Sequence, residues 1–222
     1  MSLSRQQQQQ LSAIREYTAT ILAHDLSGHD MEHIRRVVTL TKQICQTEPA
    51  ANLFIALSGA YLHDTIDDKL VSDVTISKKN LKNFLSSENL TPQEITQIFD
   101  IIERISFKQR FSASNKALSL EGKIVQDADR LDAIGAMGIV RTFYYGGAKG
   151  HVIHDPSIQP RTIHSVAEYR KNTTAINHFH EKLLLLKELM NTPHAKKLAE
   201  KRHQFMCEFL EEFNSEWNLD SL

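Results

Sequence analysis

Three short stretches hold most of the side chains able to do chemistry. "SGHDMEHIRRV", residues 27–37, puts two histidines, two acids and two arginines into the opening turns of an otherwise ordinary amphipathic pattern. "YLHDTIDDKL", residues 61–70, follows the apolar run "LFIALSGAYL" and ends it with His63 and Asp64, then Asp67 and Asp68. Adjacent residues cannot share a helical face, yet at the last turn of a helix both side chains can converge on one ion if the backbone bends there. In "EGKIVQDADRLDAIGAMGIVRTF", residues 121–143, Asp129 and Asp132 lie three apart on one face, while Ile124, Val125, Ala128 and Leu131 supply apolar contacts. Burying a lone carboxylate is costly, so each acid needs a cation, a metal or several donors.

The elements that must carry these groups all read as helices. Apolar positions recur at helical spacing over roughly 8–24, 30–47, 50–63, 77–86, 91–105, 119–145, 165–190 and 193–213, and no segment alternates as a strand does. Ser27 with Asp30 three residues on is close to a capping box, and "TPQE" places Thr91 as cap with Pro92 at the first helical position. The long irregular stretch is 144–161, which begins with "YYGGAKG"; we read "GGAKG" as a flexible flap, because it lacks the setting and the Lys-Ser/Thr ending of a P-loop. With 8 glycines and 5 prolines there is no second linker, and the expectation is a single all-α domain over 1–222.

Composition excludes several classes. A chain that is 41% hydrophobic and 24% charged is globular, and a net charge of -1 argues against a basic nucleic-acid platform. Cys45 and Cys207 lack zinc-knuckle spacing and disulfide density, which suits a reducing cytoplasm. No apolar run is long enough to span a membrane, and "MSLSRQQQQQ" has no signal-like apolar stretch. The expected partner is a small charged ligand, with neither nucleic acid nor membrane, and the expected state is a monomer or homodimer.

His33 in "HxxRV", then His63-Asp64, then Asp129 in "DADRLD" resemble the H…HD…D signature of the HD-domain metal-dependent phosphohydrolases. The chain is similar in particular to a subgroup of small bacterial HD proteins related to nucleoside triphosphate pyrophosphohydrolases. The shared elements are "SGHDxxHxxRV", "HDxxDDK", "IVQDADRLDAIGA" and a downstream element that here reads "HFHEKLLLLKELMNT", 178–192, and the match spans about residues 20–215. The resemblance implies an HD-type helical bundle. It implies that His33, His63, Asp64 and Asp129 ligate a metal, with His29, Asp30 and Arg36 around them. The implied reaction is cleavage of (deoxy)nucleoside triphosphates to monophosphate and pyrophosphate. A 5′-nucleotidase acting on deoxynucleoside monophosphates and a non-catalytic nucleotide-sensing module are the alternatives.

Two imidazoles and two carboxylates suit Mn²⁺ first, then Co²⁺, Mg²⁺ or Fe²⁺. Between Asp64 and Asp129 there is no histidine, whereas dinuclear HD phosphodiesterases use histidines in that interval, so one metal per chain is expected. Asp67 and Asp68 are the candidates to position or deprotonate the attacking water; read blandly, they only solubilise a helix end. A triphosphate needs several cations, for which Arg36, Lys69 and Lys182 are the candidates. Arg130 and Arg141 are open between phosphate binding and ordinary ion pairing.

Overall fold

The computed structural model describes residues 2–23, 30–68, 70–111, 117–171 and 173–218. Among these residues every regular element is helical and no strand occurs, as the 3.6-residue periodicity predicts. The chain forms two compact units, Met1–Asp129 and Arg130–Leu222.

The first unit holds α1 (Arg5–Leu22), α2 (Met31–Thr47), α3 (Leu53–Leu62), α4 (Val74–Ser87), α5 (Pro92–Ile102) and most of α6 (Leu120–Asp132). Its centre is α3. Phe54, Ile55, Ala56, Leu57, Ser58, Gly59, Ala60 and Leu62 are all buried, so this helix is apolar all round and must be surrounded. α1, α2 and α5 pack against it. A Cβ on Gly59 would meet the Ile101 side chain at 3.0 Å, and its absence lets α5 lie close. At its start, Asn52 accepts hydrogen bonds from the Phe54 and Ile55 amides, and its own N–H donates to Glu121 of α6 at 2.8 Å. Further along α6, the Gln126 amide donates to the Ile105 carbonyl at 3.0 Å. These two contacts fix the helix that carries Asp129 alongside the central helix.

The second unit holds the last turn of α6, then α7 (Gly135–Ala148), α8 (Val166–Tyr169), α9 (Ala175–Glu181), two short 3-10 turns (Leu183–Leu185 and Lys187–Leu189) and the 25-residue α10 (Pro193–Trp217). Phe143, Phe179, Phe209 and Phe213 form a chain of ring contacts across α7, α9 and α10.

Four local expectations need correction. α2 is capped by Asp30, whose side chain accepts the His33 N–H; Ser27 lies outside the described residues. The expected single helix over 119–145 breaks at Ala133–Ile134, because Gly135 takes φ +76° and restarts the chain as α7. The expected helix over 165–190 is α8, α9 and two 3-10 turns, since Leu183 and Leu186, three apart, are the buried pair in a stretch where Leu185 faces solvent. "GGAKG" is no flap. Gly146 and Gly147 are helical and Gly150 takes φ +68° after the last turn. The His151 N–H donates to Gly146 O at 2.8 Å and the Gly150 N–H to Gly147 O at 3.2 Å, the paired bonds of a Schellman cap. Those two amides are committed to α7 and do not cradle phosphate.

Candidate metal centre

α2 is amphipathic, and its buried face runs His33, Ile34, Val37, Leu40, Thr41, Ile44, Cys45. His33 is therefore carried into the interior by the same stripe that packs on α3, and it is 1% exposed. α3 delivers His63 and Asp64 at its C-terminal end. There the Thr65 N–H and hydroxyl both donate to the Leu62 carbonyl, at 3.0 and 2.7 Å, and the Asp67 N–H donates to the Asp64 carbonyl at 3.1 Å. This turn bends the backbone so that both neighbours reach one place, as the sequence spacing requires. His63 is 7% and Asp64 9% exposed.

The donor atoms converge. His33 Nε2 and His63 Nε2 are 3.2 Å apart. Asp64 Oδ2 lies 3.5 Å from the first and 3.4 Å from the second, and Asp129 Oδ1 lies 3.6 and 3.8 Å from them. Adjacent ligand atoms around one ion with bonds of about 2.1 Å sit about 3.0 Å apart in an octahedron and about 3.4 Å in a tetrahedron. The cluster has that scale.

Protonation points the same way. His63 Nδ1 is 2.9 Å from the Ala60 carbonyl, and since a carbonyl only accepts, Nδ1 carries the hydrogen and the neutral ring keeps its lone pair on Nε2. In that neutral form Nε2 faces His33 Nε2 and the Asp64 and Asp129 carboxylates, a gathering of ligand atoms. A cation between them turns this gathering into ligation, and the partial negative charge at the C-terminal end of α3 favours one there. His33, His63 and Asp64 form a metal-competent group, with Asp129 beside it.

The centre opens on a cleft of about 230 Å³. His63, Asp64 and Asp129 line it together with Asp67, Asp68, Lys78, Glu103, Ser106, Lys108 and Gln109. Lys108 donates to Asp68 Oδ1 at 2.7 Å and stands 3.7 Å from Asp67 Oδ2, while Lys78 Nζ is 2.7 Å from Glu103 Oε1.

The other candidates are placed as follows. Arg36 is half-buried on α2, one turn after His33. Lys69 and His29 lie outside the described residues. Asp30 serves as the cap of α2. Lys182 belongs to the second unit, where its ammonium donates to the Tyr169 hydroxyl at 3.1 Å and stands 5.6 Å from that ring's centre. Arg130 donates to the Leu189 carbonyl, and Arg141 pairs with the buried Asp132. Sequence reasoning passes over Lys108 and Lys78, because a cation on the short 3-10 turn Phe107–Phe111 or on exposed α4 looks like any other surface lysine.

Residues 30–134 match the model of the HD domain family. YpgQ from Bacillus subtilis (strain 168) is 40% identical over 207 residues, covering 93% of each chain. Its crystal structure in complex with ADP superposes with a TM-score of 0.76 and 36% identity, over 95% of this chain and 96% of that one. A protein from Lactobacillus plantarum gives a TM-score of 0.87 at 45% identity, over 95% and 98% of the two chains. An HD-superfamily hydrolase from Bacillus thuringiensis gives 0.74 at 40% identity, over 96% and 98%. Since sequence and fold agree over more than nine tenths of each chain, and the family match covers the stretch from the cap of α2 to the end of α6, this chain belongs to the HD domain family.

Proposed function

We propose that this chain is a metal-dependent hydrolase of nucleotide phosphates, and that it cleaves (deoxy)nucleoside triphosphates to monophosphate and pyrophosphate. The observation that carries the reading is the convergence of buried His33 with His63, Asp64 and Asp129, the last three on the wall of a cleft that also holds further acids and two lysines. A purely structural site closes its shell with protein ligands; this one has an open side.

One divalent ion, Mn²⁺ by preference, would be held by these four side chains and would supply Lewis acidity toward water and a phosphate oxygen. The chain's own residues do the rest. The hydrogen bond from His63 Nδ1 to the Ala60 carbonyl holds the ring in ligating orientation. Asp67 and Asp68, on the turn after the ligands, line the same cleft and are the groups that would orient the attacking water or take its proton. The cleft is smaller than the roughly 300–1,000 Å³ of pockets that swallow a drug-sized ligand. It suits a phosphate chain rather than a length of nucleic acid. ADP bound to YpgQ supports a phosphate-chain ligand here.

The test is a panel of ribo- and deoxynucleoside mono-, di- and triphosphates with Mn²⁺, Mg²⁺ and Co²⁺, with products separated by chromatography. Pyrophosphate with monophosphate is expected. Orthophosphate released from deoxynucleoside monophosphates would transfer the reading to a 5′-nucleotidase. Binding without turnover would transfer it to a sensing module.

A further inference from the structure

The residues lining the cleft carry a marked charge imbalance. Among the described residues that line it, Asp64, Asp67, Asp68, Glu103 and Asp129 stand with Lys78 and Lys108, a formal excess of three negative charges. One divalent ion leaves the wall still negative. A nucleotide whose phosphate chain itself carries two to four negative charges meets repulsion there unless a protein cation faces it.

The two lysines are not equivalent. Lys78 stands in a one-to-one pair with Glu103, and both side chains are about two fifths exposed. Lys108 is 26% exposed and sits against the turn that follows His63 and Asp64. Its ammonium has three N–H groups. One is used on Asp68 at 2.7 Å, and the Asp67 carboxylate at 3.7 Å is beyond hydrogen-bond reach. The group is thus held beside the candidate metal centre, through carboxylates that themselves face the cleft.

We propose that Lys108 reads the length of the phosphate chain. In the resting protein it is parked on Asp68 and Asp67; when a nucleotide binds, it turns to the phosphoryl groups beyond the one held at the metal. Selection for di- and triphosphates over monophosphates follows, because a monophosphate offers nothing in reach of that ammonium. The exchange also takes the Lys108 ammonium off Asp68 as substrate arrives. This inference rests on the proposed function for the identity of the substrate, and its test needs no turnover.

The test is calorimetric binding of α,β-methylene-ADP, which resists cleavage between its phosphates, and of AMP, both with Mn²⁺, to wild-type, Lys108→Ala and Lys108→Arg proteins. The alanine variant is expected to weaken methylene-ADP binding by about 10- to 100-fold, the range for losing a charge-assisted hydrogen bond, and AMP binding by less than about threefold. The arginine variant should recover most of the loss. Equal weakening of both ligands would reduce Lys108 to a clamp on the 64–68 turn and overturn the proposal. Unchanged binding in both variants would overturn it as well, as would wild-type protein that binds AMP as tightly as the diphosphate. Selective loss in a protein that hydrolyses no nucleotide would instead sink the hydrolase reading and leave Lys108 in its role.

Discussion

A histidine held by a backbone carbonyl has its tautomer chosen for it, and at His63 that choice leaves a lone pair aimed at His33, Asp64 and Asp129. Ligation and proton handling are then separable by residue. Removing His63 or Asp64 takes away one of four donors, so His63→Ala and Asp64→Ala should each lose bound metal and activity together. Asp67→Asn should keep its metal and lose kcat by about 10² or more with KM nearly unchanged, the signature of lost acid–base assistance. Elemental analysis beside steady-state kinetics decides: full occupancy in both alanine variants sinks the ligand assignment, and an unimpaired Asp67→Asn sinks the proton role. The cluster of His33, His63, Asp64 and Asp129 was anticipated through the resemblance to the HD-domain signature, in which two histidines and two aspartates recur in a fixed order. Lys108 was not legible. It lies 40 residues from Asp68 in sequence, and one lysine among 26 basic residues carries no mark of the cleft it enters. Asp132, chosen with Asp129 for its shared face, proved to be the buried partner of Arg141, since spacing fixes a face and not what that face meets.

Helix ends, more than helix middles, separate the observed elements from those expected. The stretch "DRLDAIGAMGI" keeps its apolar period through the break between α6 and α7, because the period registers burial and a one-residue backbone reversal leaves burial unchanged. Two glycines mark the place physically. Gly135 takes φ +76°, and there a Cβ would also stand 3.0 Å from the Arg202 side chain. Gly138 is ordinary in φ but crowded, since a Cβ would stand 2.3 Å from the Ala133 carbonyl oxygen, an atom of backbone that cannot rotate aside. Gly138→Ala is therefore expected to destabilise by about 1–3 kcal/mol, where the same change in an uncrowded helix would stabilise by about 1 kcal/mol. Urea denaturation measures the difference, and a stabilised variant would show that the break is softer than its contacts imply. The middles of α1, α2, α5 and α10 were legible because these helices are amphipathic, while their ends fall up to about four residues from the expected bounds. α9 and its two 3-10 turns were not, since a leucine run has the same composition whether its turns close at three residues or four.

The all-α class was legible for the whole chain because nearly every segment repeats at helical spacing, whereas the grouping into two units depends on contacts that no local pattern encodes. The units also differ in what their buried charge is for. In the first, His33, His63 and Asp64 gather at the candidate metal centre. In the second, Glu181 is 1% exposed and takes three hydrogen bonds from Arg161, from its N–H, Nε and Nη2, at 3.0, 2.9 and 2.8 Å. Burial alone would push the Glu181 carboxyl up, but the Arg161 hydrogen bonds and charge, helped by the Thr173 hydroxyl, hold it below its ordinary value of 4.5. A carboxyl lowered by folding contributes stability that is fully present above its unfolded value and is lost as pH falls through its folded value. Glu181→Gln keeps the shape and removes the charge, so near neutral pH it should be less stable than wild type by about 2–3 kcal/mol. That is below the 3–5 kcal/mol of a fully buried pair, because Arg161 is about one third exposed. The gap should begin to shrink as pH falls through the ordinary carboxyl value of 4.5 and close as pH falls on through the lowered folded value, where wild type loses the same charge. Trp217, the chain's one tryptophan, sits on α10 in the second unit, 5.6 Å from the Phe213 ring, so its fluorescence in urea reports this unit directly. A gap of constant size from about pH 7 to about pH 3 would mean that the Arg161–Glu181 charge pair does not hold this unit together.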